Sequence, residues 1–155
     1  MSGSAVLGSI VSTNGDVAIT TGGTTTIGTI TSANGTSSIA VTANGTVSDI
    51  TATTVDAGAA GNVTLTTANG SISALSGTIT GDNVTLAAGG STSTVMVNTA
   101  AKRLTVTNNA GNVTVMQTGA VTVDNITSTG SSISLTVNGG ALRWDDQDDR
   151  RRESL

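Results

Sequence analysis

The side chains able to do chemistry are few and far apart. The body of the chain carries Asp16, Asp49, Asp56, Asp82 and Asp124, and one neighbouring pair of bases, Lys102 and Arg103. Acid–base catalysis needs two ionisable groups held together in one cleft. Here the aspartates fall singly, mostly on turn phrases. The chain has no histidine and no cysteine, so an imidazole triad, a thiol nucleophile and the soft metal sites are excluded together. The calcium-binding phrase Gly-Gly-x-Gly-x-Asp is also absent. No catalytic residue, metal ligand or cofactor is expected, and the chain reads as a non-enzyme.

Hydroxyls are abundant. Thr-x-Thr triplets occur at Thr24/Thr26, Thr51/Thr53, Thr64/Thr66, Thr78/Thr80 and Thr105/Thr107. Flat ladders of such pairs bind ice in some β-solenoids. These triplets are not spaced by one coil, and outward threonine is what any half-exposed strand prefers, so ice binding is set aside. The Asn-x-Thr/Ser sequons at Asn34, Asn44, Asn62, Asn69, Asn83, Asn112 and Asn125 follow from a composition rich in Asn and Thr.

The elements that position these residues are strands. Composition is 36% hydrophobic but only 1% aromatic and 10% charged, with 20 glycines and no proline. Without Phe or Tyr the core must be thin and aliphatic, which suits a narrow solenoid better than a wide sandwich. Period-two alternation recurs in Val17-Ala18-Ile19, Ile39-Ala40-Val41, Val63-Thr64-Leu65, Val84-Thr85-Leu86, Leu104-Thr105-Val106 and Val121-Thr122-Val123. A second series begins near Ile27, Val47, Ile72, Val95, Val113 and Ile133. Each puts aliphatics on one face and Thr, Ser or Ala on the other. Turn phrases such as Asn44-Gly45, Asn69-Gly70 and Asn138-Gly139 lie between them. Asn-Gly is also a hairpin signal, so a meander competes. Within each series, however, the step is roughly 17–25 residues, the length of one β-helix turn. Two interleaved series of near-constant period predict coils rather than hairpins. The phrase Asn62-Val63-Thr64-Leu65 would then lie one coil from Asn83-Val84-Thr85-Leu86, in register. Roughly six or seven coils at a strand spacing of about 4.8 Å give a body about 30 Å tall.

The phrases GDVAITTGG, GNVTLTTANGSISALSGTITGDNVTLAAGG and GNVTVMQTGAVTVDNITSTGSSISLTVNGG resemble the repeats of filamentous haemagglutinin-type bacterial adhesins. The resemblance covers most of residues 8–140. It implies an all-β fold, a right-handed parallel β-helix (β-solenoid), on the cell surface or in the extracellular matrix, acting in adhesion or scaffolding. The chain has no proline and therefore lacks the Asn-Pro-Asn-Leu signature of members secreted by a two-partner route.

The net charge of −4 and the lack of a basic patch give no reason to expect nucleic acid. No apolar run approaches about 20 residues, so membrane insertion is not expected. The opening MSGSAVLGSIVSTNGD lacks the basic region and long apolar run of a signal peptide. The sequence divides into a solenoid over 1–141 and a charged tail over 142–155. That tail holds the only Trp, five of the ten acids and four of the six bases. Its Asp146/Arg150 and Asp148/Arg152 spacing allows one or two helical turns.

Solenoids leave an unpaired strand row at each end, which stable monomers cover. The stretch SAVLGSIV carries no charge, helix or proline that would block pairing. The sequence therefore predicts a structural protein that stacks head to tail on itself. Its candidate subunit interface is Val6, Leu7, Ile10 and Val11 at one end and Leu142, Trp144, Arg150, Arg151 and Arg152 at the other. The alternative is an adhesin-like binding module, a fragment of a larger surface protein, presenting its flank to a host or matrix ligand.

Overall fold

The computed structural model describes residues 3–33 and 35–145. Twelve strands wind through seven coils, and no helix occurs among the described residues. Coil one holds β1 (Ala5–Ser12) and β2 (Val17–Thr21), coil two β3 (Thr25–Ser32) and β4 (Ile39–Ala43), and coil three β5 (Ile50–Asp56) and β6 (Val63–Thr67). The next two coils are each one long bent strand, β7 (Ile72–Ala88) and β8 (Val95–Asn108). Coil six holds β9 (Val113–Thr118) and β10 (Val121–Ser128), and coil seven β11 (Ile133–Asn138) and β12 (Leu142–Trp144).

Strand pairing is parallel throughout the described residues; strands of coils two to six bond to the coil before and the coil after, and those of coils one and seven to a single neighbouring coil. This excludes the hairpin meander. Asn138-Gly139 illustrates why: Gly139, at φ 76°, turns a corner between β11 and β12, which pair with coil six and not with each other. The step between axial neighbours runs from 18 residues (Val95 to Val113) to 25 (Thr25 to Ile50). Seven strands stacked about 4.8 Å apart make a body about 30 Å tall.

Inward side chains form continuous columns. Val17, Ile39, Val63, Val84, Leu104, Val123 and Trp144 make one, each opposite the next. The four from Val63 to Val123 are no more than 1% exposed, as are Leu65 and Leu86 beside them. Each fully buried Leu or Val removes enough apolar area to contribute roughly 1.5–3 kcal/mol. The two NVTL phrases lie on adjacent coils with Val63 opposite Val84 and Leu65 opposite Leu86.

Two registers differ from the sequence expectation. Val47 does not begin a strand: it stands 64% exposed on a turn, and Ile27 lies opposite Ala52. The cause is the polar pair that follows. The Asn69 amide donates to Ser48 Oγ and the Ser71 amide to Asp49 Oδ1, which ties residues 48 and 49 to the next corner and delays the strand to Ile50. Likewise β10 begins at Val121 as expected, but Leu104 lies opposite Val123 and Val121 lies opposite Leu142; a bulge at Asp124 offsets the ladder by one residue beyond that point. Coil seven thus takes in Leu142–Trp144, which the sequence reading assigned to the tail.

One column turns polar. Ile10, Ile30, Val55 and Ile79 are followed by Thr99 and Gln117, both fully buried, and then by Val137. At a corner nearby, buried Asn108 accepts from Ser93 Oγ (2.7 Å) and donates to the carbonyls of Ser93 (3.1 Å), Ala110 and Gly111. Such groups are tolerated in a core because they are hydrogen-bonded.

Candidate functional site

The aspartates serve the coil stack. Asp16 Oδ1 accepts from the Ser38 amide (2.7 Å) and Asp49 Oδ1 from the Ser71 amide (2.7 Å), each one coil away. Asp56 Oδ1 accepts from the Gly58 amide at its own corner (2.8 Å). Asp82 meets Lys102 on the next coil at 2.9 Å. Arg103 bridges Asp124 and, at 2.6 Å, Asp145. Its hydrogen bonds to Asp145, then to Asp124, raise the guanidinium above its ordinary pKa. Each of these carboxylates is therefore engaged by an amide or a cation. Among the described residues no three acidic groups converge as a metal cage. The geometry supplies charge neutralisation between coils, not a general acid facing a general base.

The threonines are better ordered than the sequence suggested. On the face formed by β2, β4, β6 and the later halves of β7, β8 and β10, one outward column runs Ala18, Ala40, Thr64, Thr85, Thr105, Asn125. The adjacent column runs Thr20, Thr42, Thr66, Ala87, Thr107, Thr127. The triplets Thr64/Thr66 and Thr105/Thr107 therefore share columns although, as expected, they are not spaced by one coil: they lie two coils apart. Coil lengths of 21 and 20 residues (Thr64 to Thr85, Thr85 to Thr105) bring them into line, and Ala87 interrupts the middle triplet. No charged residue stands in either column.

The two ends of the stack hold the predicted interface residues. At one end β1 pairs only with β3 among the described residues. Leu7 and Ile10 face inward and pack against the core. Val6 and Val11 sit opposite the outward Thr26 and Thr31, 81% and 63% exposed, so they belong to the flank and not to the end face. At the other end, among the described residues, β11 pairs only with β9 and β12 only with β10. Leu142 and Trp144 lie opposite the buried Val121 and Val123, so both continue inward columns. Arg150, Arg151 and Arg152, and the helical turns expected around them, lie outside the described residues.

The sequence reading missed Val17 and Ile19 at the first end and Ile133, Leu135 and Val137 at the last. Their alternation was visible. What was not visible is that these strands are the terminal ones, with the core column open beyond them. Leu7 and Trp144 stand at opposite ends of one body, so within a single chain they cannot meet.

No family model matches the chain, and neither a curated protein nor a solved structure matches it. What identifies it is the strand pairing: the chain is an all-β parallel solenoid of seven coils with an aliphatic core.

Proposed function

We propose that the chain is a structural protein that stacks head to tail into an extracellular or cell-surface fibre. One observation carries this reading: among the described residues, the same inward columns stand uncovered at both ends of the coil stack. Val17 opens a column that Trp144 closes, and Ile10 opens one that Val137 closes. Contact between unlike ends is heterologous and does not close on itself, so it propagates. Each coil after the first already pairs in parallel with the coil before it, and a second copy would continue that ladder. Purified protein at rising concentration, followed by sedimentation and electron microscopy, should give filaments about as wide as one coil. Dispersed monomers at high concentration would refute the proposal.

A second reading, a binding module resembling the haemagglutinin-type adhesins, draws on the two uncharged Thr-rich columns of the flank. It differs in its outcome: a soluble monomer whose flank binds a host or matrix ligand saturably.

A further inference from the structure

Building on the end-to-end reading, we infer that the N-terminal edge is shaped to receive the last coil of a second copy, and that Gly8 is the position that admits it. Inside the stack, glycines with an ordinary φ such as Gly28, Gly45 and Gly77 are dictated by the coil before them, while Gly119 and Gly130 are required by a positive φ. A Cβ on Gly28 would fall within 3.0 Å of the Gly8 carbonyl oxygen, one on Gly45 would meet Gly22, and one on Gly77 would meet Thr53. Real Cβ atoms do not approach backbone that closely. Gly8 occupies the same ladder as Gly28, since Leu7 lies opposite Ile27 and Ser9 opposite Thr29. Yet a Cβ on Gly8 would meet nothing within 4 Å, and Gly8 has no positive φ. Gly3, beneath Gly23, is in the same situation. A glycine inside a strand weakens it unless a bulge or a close backbone approach requires one. Among the described residues nothing comes within 4 Å of a Cβ at Gly8; a coil laid on β1 would.

The occupant that fits is β11 with β12 of another copy. Their inward residues continue the columns that β1 and β2 open: Leu135 in line with Leu7, Val137 with Ile10 and Trp144 with Val17. The fit has one mismatch. Two residues, Gly8 and Ser9, separate Leu7 from Ile10, while only Thr136 separates Leu135 from Val137. The stack already absorbs a larger one, where the four residues between Ala74 and Ile79 oppose the single Asn98 between Val97 and Thr99. At the joint the surplus residue falls beside Gly8, where the bulging backbone has no Cβ to displace.

The test compares wild-type protein with Gly8→Ala, with Ser9→Ala as the neighbouring control. Gly8→Ala should keep the wild-type circular dichroism and urea midpoint. It should also raise the concentration needed for filaments by at least about tenfold, where each tenfold is about 1.4 kcal/mol of contact energy. Ser9→Ala should assemble like wild type. Should Gly8→Ala fail to fold, Gly3→Ala carries the same expectation. Wild-type filaments with equally ready assembly of Gly8→Ala would overturn this inference and leave the fibre standing. A wild type that stays monomeric would overturn the fibre itself.

Discussion

Replacing Gln117 by leucine should destabilise the solenoid although the site is buried in an aliphatic column. The ladder between coils five and six is broken there: β8 pairs with β9 as far as Thr99 and Gln117, and with β10 only from Arg103 and Thr122. The backbone of Ala101, 4% exposed, falls in the gap. The Gln117 side-chain amide takes the place of the missing peptide group. Its Oε1 accepts from the Ala101 amide (3.2 Å) and Thr99 Oγ1 (2.7 Å), while Nε2 donates to the carbonyls of Ala101 (2.9 Å) and Thr118 (2.8 Å). Leucine would leave the Ala101 N–H and C=O without partners, each costing about 1–3 kcal/mol when buried. Exposed Thr118 can turn to water. Against this, the apolar side chain gains about 1–2 kcal/mol from favourable burial. Taking the middle of each range, the net loss expected is about 2.5 kcal/mol. With a urea slope of about 2 kcal/mol/M, the midpoint by far-UV circular dichroism should fall by about 1 M. Adding Thr99→Val removes a further orphaned hydroxyl, so the double variant should be no worse than Gln117→Leu alone. A midpoint for Gln117→Leu at or above wild type would show that the amide does not substitute for the ladder.

Two further substitutions test the inward register and the joint. Val84→Asp places an unpaired carboxylate between Val63 and Leu104 and should cost several kcal/mol, whereas Thr85→Asp, one residue along and facing outward, should be mild; equal urea midpoints would refute the register. Trp144→Ala should raise the assembly concentration more than Arg150→Ala, because a large side chain closing a core column outweighs a rim ion pair worth under about 1 kcal/mol; light scattering against concentration measures both, and equal effects would remove Trp144 from the joint.

The parallel solenoid was legible in the sequence because two of its causes are local. Alternation of period two in Val63-Thr64-Leu65 or Leu104-Thr105-Val106 assigns each side chain to a face whatever lies above or below. A composition without proline and with Trp144 as its single aromatic leaves thin coils as the way to bury those aliphatics. The recurrence of Asn-Val-Thr-Leu then supplied the coil length, and Val63, Val84 and Leu104 stacked as expected.

Which coil meets which was decided only by the tertiary structure. An axial neighbour lies 18 to 25 residues away, and that distance depends on corners whose hydrogen bonds come from other coils. Ser48 and Asp49 answer to Asn69 and Ser71, which moved the strand start from Val47 to Ile50. Leu104 takes Val123 as its partner and not Val121, the first residue of β10, a register that no local pattern displays. Gln117 stood in inward parity after Val113 and Val115, yet its purpose depends on a ladder gap at Ala101 that no local pattern reveals. The threonine columns and the unfilled space at Gly8 likewise exist only between coils. Because each coil resembles the next, the hydrophobic effect fixes the inward face and leaves axial register nearly degenerate; a few polar contacts across the coils select it.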